Sequence, residues 1–248
     1  MKPNKLLQLL RDNARADASA KPAPLRAEVK DDEAHIYVYD VIDSWWGANA
    51  AGLVTALAAV ADKTVHLHIN SPGGDVFEAR AMSAAIVAHA KPVIGHIDGV
   101  AASAATYLAL ACSEVRMTDG GLFMVHNSWT FAYGNKDELR ATADLLEKID
   151  GTIAADYRKK TGASEAQVKT WMDAETWFTA QEALDAKFID AIEANSQADD
   201  KTENRASWNL SAYANAPKQL PKPPAEDLGK EITAQLQHNR NRMRLLAQ

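Results

Sequence analysis

Two periods of apolar residues alternate along the middle of this chain. In Thr64-Val-His-Leu-His-Ile69 every second residue is apolar, as in a strand with one covered face. His35-Ile-Tyr-Val-Tyr39 is β-rich and predicts another strand, and the Ala/Leu/Val-rich stretch from Ala48 to Ala61 predicts a helix. Ser71-Pro-Gly-Gly74 reads as a turn. Val76 to Ala90 predicts a helix, Val93 to Ile97 a strand, and Ser103 to Ala111 a helix; Val115-Arg-Met117 and Leu122 to Val125 read as short strands. Strands alternating with helices build βαβ units around a mainly parallel sheet, so the expected fold class is α/β.

From Lys136 to Lys160 the period is helical throughout, with Leu139, Ala143, Leu146, Ile149, Ile153 and Tyr157 on one stripe and Gly162 as the stop. A shorter helix is expected from Ser164 to about Met172, and Thr179 with Glu182 forms a capping box for another. Phe188-Ile-Asp-Ala-Ile192 closes the patterned region. The chain then divides into an N-terminal arm over 1–33, a compact domain over 34–193, a linker over 194–227 and a C-terminal amphipathic helix over 228–248. The arm holds a short helix with Leu6, Leu7, Leu9 and Leu10, and then Lys21-Pro-Ala-Pro24. The linker is rich in Asn, Asp, Lys, Pro and Ala. Leu228, Ile232, Leu236 and Met243 mark the last helix, too thin a stripe to fold alone.

Composition narrows the functional classes. The 248 residues carry a net charge of -6 without a basic stripe, which argues against nucleic acid as a partner. No apolar run reaches the length of a membrane span, and the leucines after Met1 are too few and too interrupted for an export signal, so a cytoplasmic location is expected. The single cysteine, Cys112, excludes an intrachain disulfide and reads as a packing residue. His66 and His68 share one strand face but have no third ligand nearby, so neither a metal nor another cofactor is expected.

The chemistry concentrates in three short stretches. Gly99-Val-Ala-Ala-Ser103-Ala-Ala-Thr sets one serine between a strand and an alanine-rich helix, where backbone N–H groups are unpaired and small neighbours leave the hydroxyl approachable. Taken alone, Ser103 reads first as a helix cap, and the stretches on either side change that. Downstream, His126 follows the apolar strand Leu122-Phe-Met-Val, where an imidazole can reach a neighbouring helix start as a base. Upstream, the Gly73-Gly74 turn exposes N–H groups without Cβ obstruction; Gly74, with the Ala104 N–H, suits an oxyanion.

Together these residues resemble the ClpP family of serine peptidases, over roughly residues 34–193. The resemblance rests on Ile69-Asn-Ser-Pro-Gly-Gly74, Gly99-Val-Ala-Ala-Ser103 and Met124-Val-His126 in this order and spacing. It implies a crotonase-like fold of stacked βαβ units with a long handle helix, here Lys136 to Lys160, which in the family mediates ring–ring contact. It implies Ser103 as nucleophile, His126 as base, and Gly74 and Ala104 as oxyanion donors. The matching acidic position, before Trp177-Phe-Thr-Ala-Gln-Glu-Ala183, is Glu175, where the family usually has Asp; Asp173 is the second candidate. Gly73, Trp129, Phe131 and Tyr133 fall where the family's substrate peptide lies along a strand.

The long arms, Trp45-Trp46-Gly and the Glu-Thr-Trp-Phe segment look most like the ClpP-related head-maturation proteases of tailed phages. That likeness implies a homo-oligomeric ring acting on capsid or scaffold protein, in host cytoplasm or prohead, and Asn209 to Pro217 as an accessible site for self-cleavage. Three alternatives stay open: the proteolytic subunit of an ATP-dependent Clp-type protease with an unfoldase partner, a crotonase-type acyl-CoA enzyme, and an inactive assembly protein.

Overall fold

The computed structural model describes residues 5–13, 25, 27–30, 32–45, 47–194 and 208–217. In chain order the elements are α1 (Lys5–Asn13), β1 (Ala27–Lys30), β2 (Glu33–Val38), α2 (Ala50–Ala58), β3 (Val65–Ser71), α3 (Val76–Ala88), β4 (Val93–Ala102), α4 (Ala105–Ala111), β5 (Glu114–Thr118), β6 (Leu122–Val125), α5 (Lys136–Thr161), α6 (Glu165–Asp173), β7 (Thr176–Thr179), α7 (Ala180–Asp185) and β8 (Ala191–Glu193). The expected α/β class is the observed one. Strands β2, β3, β4, β5 and β8 run parallel in that order, with β1 antiparallel at the edge. The expected C-terminal helix over 228–248 lies outside the described residues.

Strand β4 is longer than its sequence pattern predicts, and the extension matters. Its first half pairs with β5 (Ile94↔Glu114 to Ile97↔Met117) and its second half with β6 (Val100↔Leu122 to Ala102↔Met124). The sheet forks there, and β6 carries β7 as an antiparallel partner. Gly99 in this extension faces the Asn70 side chain, where a Cβ would come within 2.8 Å of Oδ1. Strands β1, β7 and β8 were not expected: β1 falls in the polar arm, and Thr176–Thr179 reads as the lead-in to the α7 capping box.

The core lies between the sheet and α2, α3 and α4, with Ile36, Leu53, Leu67, Ile69, Met82, Ile97 and Leu108 fully covered. Each such side chain contributes about 1.5–3 kcal/mol by leaving water. Helix α5 begins at a capping box on Asn135 and Glu138 and ends at Gly162 in the left-handed region (φ 72°). Its second half is anchored: Ile153 and Tyr157 are buried, Tyr157 shares a hydrogen bond with Thr106 (2.8 Å), and Arg80 of α3 reaches Tyr107, Thr152 and Asp156. Leu139 and Leu145 in its first half are exposed.

The other sheet face carries a ladder of histidines. His35, His66, His68 and His96 stack at centroid distances of 4.9–5.4 Å, and Tyr37 stacks on His68. His66 and His68 are half-buried within this ladder. Among the described residues no group suited to holding a metal is formed.

Candidate active site

The site sits where two parallel strands end side by side. Ala102 of β4 pairs with Met124 of β6; Ser103 is the next residue on one strand, and His126 lies two beyond Met124 on the other. The Ser103 N–H donates to the Met124 carbonyl (2.9 Å), and the Ser103 carbonyl accepts from the N–H and Oγ1 of Thr106 (3.0 and 2.7 Å). These bonds hold Ser103 at φ 54°, a conformation that costs a non-glycine residue about 1–3 kcal/mol. Its side chain does not cap the helix. The N-cap of α4 is Ala104, which makes no side-chain capping bond, and Ser103 Oγ instead lies 2.7 Å from His126 Nε2.

His126 is buried, edge-on to Trp129 (4.5 Å) and to Tyr213 (5.4 Å). Burial, with a smaller contribution from the Lys5 ammonium, pushes its pKa down to about 3. The imidazole is therefore neutral, as a base that accepts a serine proton must be.

The glycine turn supports the same geometry. Ile42 N–H bonds to the Gly73 carbonyl (2.9 Å) and Asp75 N–H to the Ile42 carbonyl (2.8 Å), so these bonds flank Gly74 and its own N–H takes no part in them. A Cβ on Gly74 (φ 150°) would stand 2.0 Å from the Ile42 oxygen. On Gly73 (φ 92°) it would stand 2.5 Å from the Ala102 oxygen and 3.1 Å from the Ala104 nitrogen. The turn is thus pressed against the serine turn. Among the described residues, neither Gly74 N–H nor Ala104 N–H has a hydrogen-bond acceptor.

Neither candidate acid engages the imidazole. The antiparallel register of β6 and β7 ends at Val125↔Thr176, and one further step sets His126 opposite Glu175. Glu175 is nevertheless not bonded to His126. Its carboxylate accepts the backbone N–H groups of Ala214 (3.0 Å) and Asn215 (2.6 Å), and the residue is buried with φ 48°. Asp173 points elsewhere: it accepts from Asn127 Nδ2 (2.9 Å), which, with Lys169 nearby, holds its carboxyl below the usual range.

The expected substrate strand is absent. No strand forms between His126 and Asn135, and Phe131 and Tyr133 are 65% and 92% exposed. Trp129 alone of the three aromatics meets the site; the alternation belongs to a loop that feeds the α5 capping box. Cys112 is buried at the end of α4 with its thiol pushed up to about 12, in keeping with packing.

The largest departure concerns residues 208–217, which composition assigns to a linker with an accessible site. Trp208, Leu210, Ala212 and Tyr213 are buried. Trp208 Nε1 donates to Asn70 Oδ1 (3.1 Å), and the Tyr213 hydroxyl donates to the Pro72 carbonyl (2.5 Å). A cavity of about 190 Å³ beside Ser103 and His126 is walled by Leu6 and Leu9 of α1, Trp129, Tyr213, and Ile149 and Ile153 of α5. Leu6, Leu9 and Tyr213 were not foreseen as site residues. The one signal was the apolar spacing Trp208, Leu210, Tyr213 in an otherwise polar stretch.

A serine aimed at a neutral imidazole, with unpaired amides alongside, is equipped to attack an acyl carbon, and this chain is a serine peptidase. It belongs to the Clp protease family, whose model matches residues 28–196. It is 29% identical over 145 residues to the ATP-dependent Clp protease proteolytic subunit 1 of Leifsonia xyli subsp. xyli, covering 58% of this chain and 74% of that one. Identity to the ATP-dependent Clp protease proteolytic subunit 1 of Protochlamydia amoebophila is 29% over 169 residues (65% and 81%). To the ATP-dependent Clp protease proteolytic subunit of Streptococcus pneumoniae it is 27% over 159 residues (62% and 81%).

Proposed function

We propose that the protein is an endopeptidase in which Ser103 is the nucleophile and His126 the general base. The observation that carries this is the 2.7 Å contact between Ser103 Oγ and a buried, neutral imidazole. Ser103 Oγ attacks the peptide carbonyl as its proton passes to His126 Nε2, and the N–H groups of Gly74 and Ala104 hold the resulting oxyanion. His126 then returns the proton to the departing amine, and water releases the acyl group by the same steps. Glu175, opposite His126 when the β6–β7 register is carried one step further, orients the imidazole once its carboxylate is free. Trp129 borders the bound peptide, with Gly73 beneath the turn.

The test is fragment mass analysis of a protein substrate incubated with wild type or Ser103→Ala. Loss of a nucleophile from a unit that acts together reduces rate by roughly 10⁴–10⁶-fold, enough to abolish visible product. Identical fragments from both proteins would remove Ser103 from the role.

For the natural substrate we propose capsid or scaffold protein, cleaved by a homo-oligomeric ring. The arms outside the matched residues 28–196 support this reading. The relatives are named as subunits of ATP-dependent proteases, which favours the alternative of a proteolytic subunit fed by an unfoldase. The exposed Leu139 and Leu145 on α5 suit a contact between copies under either reading. Cleavage of capsid protein without ATP supports the first; cleavage only with an unfoldase and ATP supports the second.

A further inference from the structure

Residues 208–216 pack against the site, and Tyr213 walls the cavity beside Ser103 and His126. A segment whose only task is to span a distance has no use for a buried tryptophan hydrogen-bonded to a buried asparagine, yet Trp208 and Asn70 form such a pair. Five residues on, the Tyr213 ring lies against His126 (5.4 Å), Trp129 (4.9 Å) and Trp177 (5.6 Å). Its hydroxyl donates to the carbonyl of Pro72 in the oxyanion turn and lies against the Ser103 side chain. The next two N–H groups, of Ala214 and Asn215, take both oxygens of Glu175, and Asn215 Nδ2 donates to the Ala174 carbonyl (2.8 Å). One short stretch therefore lies against the serine and the imidazole and engages the carboxylate that would orient the base.

The stretch is tied down from the other end of the domain. Asn13 of α1 pairs with the backbone of Asn209 in both directions: Nδ2 donates to the Asn209 carbonyl (2.9 Å) and Oδ1 accepts its N–H (2.6 Å). Gln8 Nε2 reaches Ser211 Oγ (3.1 Å), and Lys5 Nζ stands 4.9 Å from the centre of the Trp129 ring. Leu9 and Leu10 of α1 are buried.

We infer that residues 208–216, strapped by α1, form a built-in inhibitor that keeps the peptidase latent until they are displaced. The pose is not that of a substrate: a phenol, not a peptide carbonyl, faces Ser103, so the segment blocks the site without presenting a bond for cleavage. The inference rests on the reading of Ser103 as nucleophile and adds that this nucleophile is covered.

The test is the rate at which a fluorophosphonate probe labels Ser103 in the full chain. Tyr213→Ala removes the plug, Tyr213→Phe only its hydroxyl, and Asn13→Ala loosens the strap without altering the site. Labelling of Tyr213→Ala should be at least about tenfold faster than wild type (about 1.4 kcal/mol), with the other two between. A synthetic peptide of residues 208–216 should slow the Tyr213→Ala protein again. If Tyr213→Ala misfolds, Asn13→Ala decides. Wild type labelled as fast as folded Tyr213→Ala or Asn13→Ala would overturn the latency and leave the nucleophile standing. No Ser103-dependent labelling in any variant would overturn both.

Discussion

Ser103 carries its hydroxyl on a backbone that serine seldom adopts, and its neighbours are chosen to hold it there. The same holds for Gly74, where a side chain would meet the Ile42 carbonyl. Gly74→Ala should lower the melting temperature by roughly 2–12 °C, combining strain of about 1–3 kcal/mol with the usual response of a domain this size; a scanning melt checks it. His126 offers a separate test. In the closed arrangement its pKa is about 3, chiefly because it is buried. Its ring should therefore stay neutral in wild type down to that pH. In Tyr213→Ala, with water admitted, it should titrate towards the ordinary value near 6.5. Side-chain NMR of His126 reads both, and identical titrations would mean that the segment does not seal the base. The residues of this site were legible in the sequence because each has a local cause: a serine at a strand-to-helix switch, a histidine at a strand end, glycines in a turn. Tyr213 was not, because its role depends on partners scattered along the chain, from Trp177 back to Pro72, 141 residues earlier.

At the scale of elements, the β6–β7 ladder separates the two candidate carboxylates. Carried one step past Val125↔Thr176, its register puts Glu175, not Asp173, opposite His126. In the uncovered Tyr213→Ala protein, Glu175→Gln should reduce kcat by roughly 10³–10⁴-fold, and Asp173→Asn should change it little. A reversed pattern in steady-state kinetics would transfer the role. The sequence alone left these two acids unresolved because β7 was hidden: four residues before a capping box look like its approach, and only pairing with β6 makes them a strand. The histidine ladder across β2, β3 and β4 is a second property of elements. Burial first, then the neighbouring imidazoles, holds His35 below the usual histidine value against Glu33, and burial holds His96 below it against its hydrogen bond with Glu193. His68 bonds Asp98, which also accepts from Tyr39, and His96 bonds Glu193, beside Arg116. With folded-state values depressed, the unfolded chain binds more protons. The stability is complete above about pH 6.5 and is lost as pH falls below it. Melting temperatures between pH 7.5 and 5 should fall less steeply in His35→Gln than in wild type.

At the scale of the whole molecule, the long central pattern of strands and helices was readable because burial imposes its period on local sequence. The ends were not. Composition marks residues 194–227 as too polar to fold alone, which is a statement about independence, not about docking. Trp208 and Tyr213 need no core of their own when Asn70, Trp129 and Trp177 already form one side of it.

The strap and plug come from opposite ends of the described domain, and that sets an order in time. A ribosome makes α1 first, then Ser103, then His126, and completes the sheet at Glu193 before it reaches Trp208. At about 5–20 residues per second, the stretch from Glu193 to Ala216 follows within seconds. Ser103 and His126 are thus synthesised on a chain that has not yet received its cover. Nascent protein on neighbouring ribosomes meets an uncovered site only during that interval, and a stall or truncation before Trp208 would leave it open.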